Sequence, residues 1–202
     1  QDTISPNDVD QQGLGDCYLI AAMAAIADQN PELIRNSIRD NGDGTYTVTL
    51  YEKKGGFLGI GGNLEKVEVT VTPDFPNGQY YSKEAGQWVP LPMDVGSGDD
   101  ELWPRLLEKA YGQHISGDSD VKGIYNKLDK GGFSSDALEA LSGSKSVSSS
   151  PDHYSIQDLA DMHKKGYALT LSSKIDYGPF TNDHYRDDSL VRGHAYWIDS
   201  VD

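Results

Sequence analysis

The chain has 202 residues, with 17 Lys+Arg against 32 Asp+Glu and a formal net charge of −15. That length fits one domain or two lobes sharing a cleft, and the acidic balance excludes a nucleic-acid surface, which needs clustered Lys and Arg. Hydrophobic residues make up 37%, enough to bury a core, yet no apolar run approaches the ~20 residues that span a bilayer, so membrane insertion is not expected.

Residues 1–16 are polar and turn-rich and end in Gly13-Leu14-Gly15-Asp16. The run from Cys17 to Ala27 is rich in alanine and apolar nearly all round, which predicts a buried helix. Pro31-Glu32-Leu33-Ile34 predicts a second short helix, with proline at a permitted first position. The period then changes. Thr45–Tyr51 and Lys66–Val71 alternate and are β-branched, as two antiparallel strands with outward polar positions would be. The glycine-rich stretch from Gly55 to Gly62 connects them and lacks the third glycine of a dinucleotide-binding loop. Asp40-Asn41-Gly42-Asp43-Gly44 does not follow the EF-hand spacing and reads as a turn.

From Asp99 the helical period returns, with acids at the start and Gly112 expected just past the end. Gly131-Gly132 predicts a flexible break, and Ser135–Leu141 a short helix after it. A serine-rich loop from Ser142 to Ser150 leads into an amphipathic helix, Ser155–Lys165, with Ile156, Leu159 and Met162 on one face. Tyr167–Ser172 and His194–Ser200 read as strands, giving an α+β chain.

Cys17 is the only cysteine, which excludes an intrachain disulfide and a multi-cysteine zinc site. A lone cysteine is most often packed as a small hydrophobe. This one follows Asp16 at the start of a helix, where unpaired N–H groups and the macrodipole favour a thiolate. Gln11, six residues upstream, offers an amide donor to an oxyanion beside the sulfur, and the glycines flanking Leu14 would let backbone pass close to a substrate. Of five histidines, His194 opens the alternating strand Ala195-Tyr196-Trp197-Ile198 and would be held rigidly. His114, His153, His163 and His184 read as solvated surface residues, and no two histidines have metal-ligand spacing.

The segment Gln11-Gln12-Gly13-Leu14-Gly15-Asp16-Cys17-Tyr18-Leu19 closely resembles the nucleophile motif of calpain-type cysteine proteases, Gln-Gly-x-Leu-Gly-Asp-Cys-Trp-Leu. Three further landmarks follow in order. Glu101-Leu102-Trp103 with Leu106-Leu107-Glu108-Lys109-Ala110-Tyr111 is similar to the family's Glu-Phe-Trp…Leu-Leu-Glu-Lys-Ala-Tyr helix. Gly131-Gly132-Phe133-Ser134 resembles the segment entering the second lobe, and Gly193-His194-Ala195-Tyr196 the histidine motif. Gln12 stands where the family has glycine, and Tyr18 where it has tryptophan.

The resemblance implies a papain-like core of two lobes, a helical cysteine lobe over 1–130 followed by a sheet-rich histidine lobe over 131–202, hinged at Gly131-Gly132. It implies a cysteine endopeptidase acting on protein substrates, with Cys17 as nucleophile, His194 as its partner and Gln11 in the oxyanion hole. Asp8 and Glu101 become candidate ligands for a regulatory calcium ion. The family's orienting asparagine, in Asn-Pro-Trp, is expected beyond Asp202, on strands of the histidine lobe that this sequence lacks. Within the chain Asp199 is at the wrong strand offset from His194, and Asn182 lies in a preceding loop. Two other readings use the same landmarks: a non-catalytic protein-binding module, and a papain-like transglutaminase or deamidase. A start at Gln1 without regulatory domains suggests a bacterial effector or toxin module held by a dedicated inhibitor or immunity protein.

Overall fold

A computed structural model describes residues 3–11, 14–55, 62–75, 78–82, 87–91, 101–173 and 190–201. Helix α1 (Cys17–Gln29) runs through the middle of the core. Its alanines let neighbouring elements approach closely, and Leu19, Ala22 and Met23 have no exposed surface. Around it pack α2 (Pro31–Ser37), α5 (Ser134–Ser142), strand β7 (Ala195–Trp197) and the 3-10 turn Pro6–Asp8. The periodic apolar run thus folds as read, buried on every side.

Strands β1 (Ile38–Asp40), β2 (Tyr46–Lys54) and β3 (Asn63–Val71) form an antiparallel sheet in chain order. The register pairs Tyr46 with Val71 and Lys54 with Asn63, so the predicted alternation puts Val48, Leu50, Val69 and Val71 on the buried face. At the β1–β2 turn Asp40 accepts the Gly42 N–H, and Asp43 accepts both the N–H and the hydroxyl of Thr45. These acids therefore serve the turn, as expected. Positions 56–61 of the glycine-rich connection lie outside the described residues. A second hairpin, β4 (Gly78–Ser82) with β5 (Gln87–Leu91), falls where the sequence suggested no element.

Helix α3 (Leu102–Ser116) corrects one expectation. It passes through Gly112 without ending and stops at Gly117, which takes the left-handed conformation at φ 67°. Gly112 is needed for packing: a Cβ there would sit 2.6 Å from Ile124 Cγ2 and 2.9 Å from Leu128 Cδ1. Both belong to α4 (Val121–Leu128), a short helix that the sequence did not announce. Helix α6 (Ile156–Lys164) starts on a Ser155/Asp158 capping box but contributes no buried residue. Its expected apolar face is only half buried at Leu159 and Met162, and Ile156 is 69% exposed. Strand β6 (Thr170–Ser172) pairs antiparallel with β7. Both predicted strands of this region are present, shortened to three rungs.

Candidate active site

Cys17 is the first residue of α1, a free, half-buried thiol packed against the edge of the core. Asp16 before it occupies the N-cap at φ −107° and ψ 19°, yet its side chain makes no capping bond. The carboxyl is turned inward and the residue is only 2% exposed. Gln11 folds back over this loop: its Nε2 donates to the Leu14 carbonyl at 2.6 Å and reaches Asp16 Oδ1 at 3.5 Å. From the far side, Asp129 Oδ1 accepts the Gly15 N–H at 3.0 Å. Burial pushes the Asp16 carboxyl up to about 7, and the Asp129 carboxylate pushes it the same way, while its own backbone N–H and Gln11 pull it down.

Gly15 has a different reason from the one expected. A Cβ at this position would stand 2.7 Å from the Asp129 carbonyl oxygen, so the glycine admits the chain's own backbone, not a substrate. Gly13 lies outside the described residues. Tyr18 packs edge-on to Tyr111 at 6.2 Å between ring centres. A Cβ at Gly132 would lie 2.6 Å from the Tyr18 ring, so the backbone of the Gly-Gly segment rests on the residue next to the thiol.

His194 stands just before β7, and backbone bonds fix it. Its N–H donates to Ser173 Oγ at 2.9 Å, and its carbonyl accepts the Ser173 N–H at 2.9 Å. The imidazole meets the Tyr196 ring edge-on at 4.6 Å, two residues along the same face. Partial burial lowers the His194 pKa, favouring the neutral ring near pH 7. Helix α1, which starts at Cys17, packs directly against β7, which starts after His194, and Ala195 is buried in the core they share. Elements separated by most of the chain thus meet.

The remaining candidates lie elsewhere. Asp8 Oδ2 accepts the Ser5 N–H at 2.8 Å and the Trp103 indole N–H at 2.9 Å. That second bond ties the first residues of α3, next to Glu101, to the Pro6–Asp8 turn. Among the described residues no three His, Cys, Asp or Glu side chains gather as a metal site. Asp199 is exposed two residues beyond β7, and Asn182 and His184 lie outside the described residues. His163 is a correction: it is half buried where α6 meets the end of α1, with Nε2 3.3 Å from Asp28 Oδ2 and 2.8 Å from Gln29 Nε2. Asp129 is the contributor that sequence reading missed. Its contact crosses 114 residues, and its only local signal is an acid placed before Gly131-Gly132.

The whole chain, residues 1–202, matches the family model described as calpain family cysteine protease. The chain belongs to the calpain family. Mouse Calpain-8 is 29% identical over 201 residues, covering 96% of this chain and 25% of the mouse protein. Calpain-5 of Caenorhabditis elegans is 29% identical over 209 residues, 98% of this chain and 29% of its own length. Calpain-B of Drosophila melanogaster is 27% identical over 204 residues, 96% of this chain and 19% of its own. The chain therefore spans a quarter or so of the length of these curated calpains. A calpain-family core with mixed helix and antiparallel sheet is the fold that the sequence landmarks implied.

Proposed function

We propose that this calpain-family domain is a cysteine endopeptidase in which Cys17 is the nucleophile and His194 its acid–base partner. The observation that carries the reading is the packing of the Cys17 helix against the His194 strand, with the thiol half buried at the helix start. A neutral His194 accepts the thiol proton, and the thiolate attacks a peptide carbonyl. The Cys17 backbone N–H and the Gln11 carboxamide receive the oxyanion, an effect commonly worth a few kcal/mol. The protonated imidazole then gives its proton to the leaving amine, and water releases the acyl group from sulfur. The proposed lobes, 1–130 and 131–202, meet at Gly131-Gly132, where Gly131 holds φ 74° and Gly132 lies on Tyr18.

The hard-oxygen chemistry of Asp8 and Glu101 suits calcium, which takes six to eight oxygen ligands. One oxygen of Asp8 already accepts two N–H groups, and these two carboxylates alone fall short of the six to eight oxygens that calcium takes. No step of the reaction is routed through it.

Product mass separates the proposed chemistry from the other papain-like reactions. Incubation with an unfolded protein or a glutamine-containing peptide is expected to give two shorter chains whose summed mass exceeds the substrate by one water. An uncleaved product about one dalton heavier, or one joined to an added amine, would replace hydrolysis by deamidation or transglutamination. No product at all from the active-condition enzyme would favour the protein-binding module.

A further inference from the structure

Asp16 is an acid with no evident local purpose. An N-cap aspartate ordinarily accepts an N–H from the first turn of its own helix, and this one does not. A carboxyl only 2% exposed is costly unless something compensates. What it faces is the Gln11 carboxamide. The nitrogen of that amide lies between two acceptors, the Leu14 carbonyl at 2.6 Å and Asp16 Oδ1 at 3.5 Å, which fixes the NH2 edge toward residues 14–16. Asp129 ties Gly15 from the far side: its Oδ1 accepts the Gly15 N–H at 3.0 Å, and a Cβ at Gly15 would stand 2.7 Å from its carbonyl oxygen.

We propose that Asp16 is a positioning residue for catalysis: its inward carboxyl holds the Gln11 carboxamide beside the Cys17 N–H, so that the amide meets the developing oxyanion already oriented. The short bond to Leu14 uses one N–H of the amide. The long contact to Asp16 steers the other without consuming it, and a closer acceptor above the sulfur takes it over. The role does not require a charged Asp16: burial and Asp129 favour the neutral acid, whose C=O accepts the amide N–H without opposing an oxyanion. Tyr18 and Tyr125 also lie within electrostatic reach of this carboxyl. An asparagine has the same shape and the same acceptor.

This inference rests on the proposed peptidase reaction, and wild-type turnover is its control. A wild type without turnover defeats the peptidase reaction itself, whereas the variants test Asp16 against an active wild type. Asp16→Ala is expected to lower kcat about 10- to 100-fold with KM changed less than about 3-fold, short of the ~10²–10³ for deleting an oxyanion donor outright. Alkylation of Cys17 by iodoacetamide, which forms no oxyanion, is expected to stay within about 3-fold of wild type. Asp16→Asn is expected to recover most of the lost kcat, and Asp16→Ala to add nothing in a Gln11→Ala background. Unchanged kcat in Asp16→Ala, alkylation falling in step with turnover, no recovery in Asp16→Asn, or additivity with Gln11→Ala would each overturn the role. If Asp16→Ala does not fold, Asp16→Ser, too short to reach Gln11, carries the same expectations.

Discussion

Cys17→Ala is expected to lower kcat/KM for a protein substrate by roughly 10⁴-fold or more while leaving the thermal midpoint within a degree or two. The kinetic size follows from the chemistry, since alanine offers no nucleophile and what remains is binding and oxyanion stabilisation. The small stability change follows from packing. Cys17 lies half buried at the edge of the core, so removing one sulfur opens little cavity there. His194→Ala should approach the same kinetic floor, and the double variant should fall little further, because the proposed pair would act as a unit. Loss of the imidazole also leaves the backbone bonds to Ser173 in place, so β7 should keep its register. Steady-state kinetics beside a thermal melt measure both halves. Residual activity within about 10-fold of wild type in either single variant would mean that another group carries the reaction.

Asp16→Asn is expected to stabilise the protein at pH 8 by something on the order of 2–4 kcal/mol, a rise of roughly 5–10 °C in Tm for a chain of this size. The sign comes from linkage. Burial raises the folded-state carboxyl from 3.8 to about 7, so the native state binds a proton that the unfolded state gives up at much lower pH. The wild type therefore loses stability as pH rises from about 4 to about 7, and the loss is complete above 7. Asparagine does not titrate and escapes it. The difference between the two proteins should shrink steadily toward pH 4 and vanish only below the ordinary carboxyl value of 3.8, where Asp16 is protonated in both folded and unfolded chains. Tm measured at half-unit steps from pH 4.5 to 8.5 would show it. Parallel curves, or a larger gain at low pH than at high pH, would mean that the Asp16 carboxyl is not held neutral by its surroundings. The substitution thus joins a stability gain to the retained turnover expected of an asparagine at this position.

Local pattern accounts for the elements that were legible. Helix α1 could be read because eleven consecutive residues from Cys17 to Ala27 are small or apolar, and β2 and β3 because β-branched residues alternate with polar ones. The calpain landmarks were legible because four short runs of residue types follow one another along the chain in the family's order. What escaped is what long-range packing decides. Gly112 looks like a helix stop in one dimension, and only the approach of Ile124 and Leu128 makes it an interior position. Asp129 carries no sign that its oxygen will meet the Gly15 N–H across the fold. His163 looked solvated because nothing near it in sequence reveals the end of α1. Helix α6 shows the converse: its amphipathic spacing is real, but among the described residues too little packs against it to bury Ile156.

Activation of Cys17 by His194 can be read from the rate at which an epoxide probe directed at thiol proteases labels the folded protein. Intact mass and peptide mapping should find a single adduct, on Cys17, formed in wild type and slowed at least about 100-fold in His194→Ala. An unlabelled Cys17 in folded protein, or equal labelling rates with and without the imidazole, would mean that His194 does not activate Cys17.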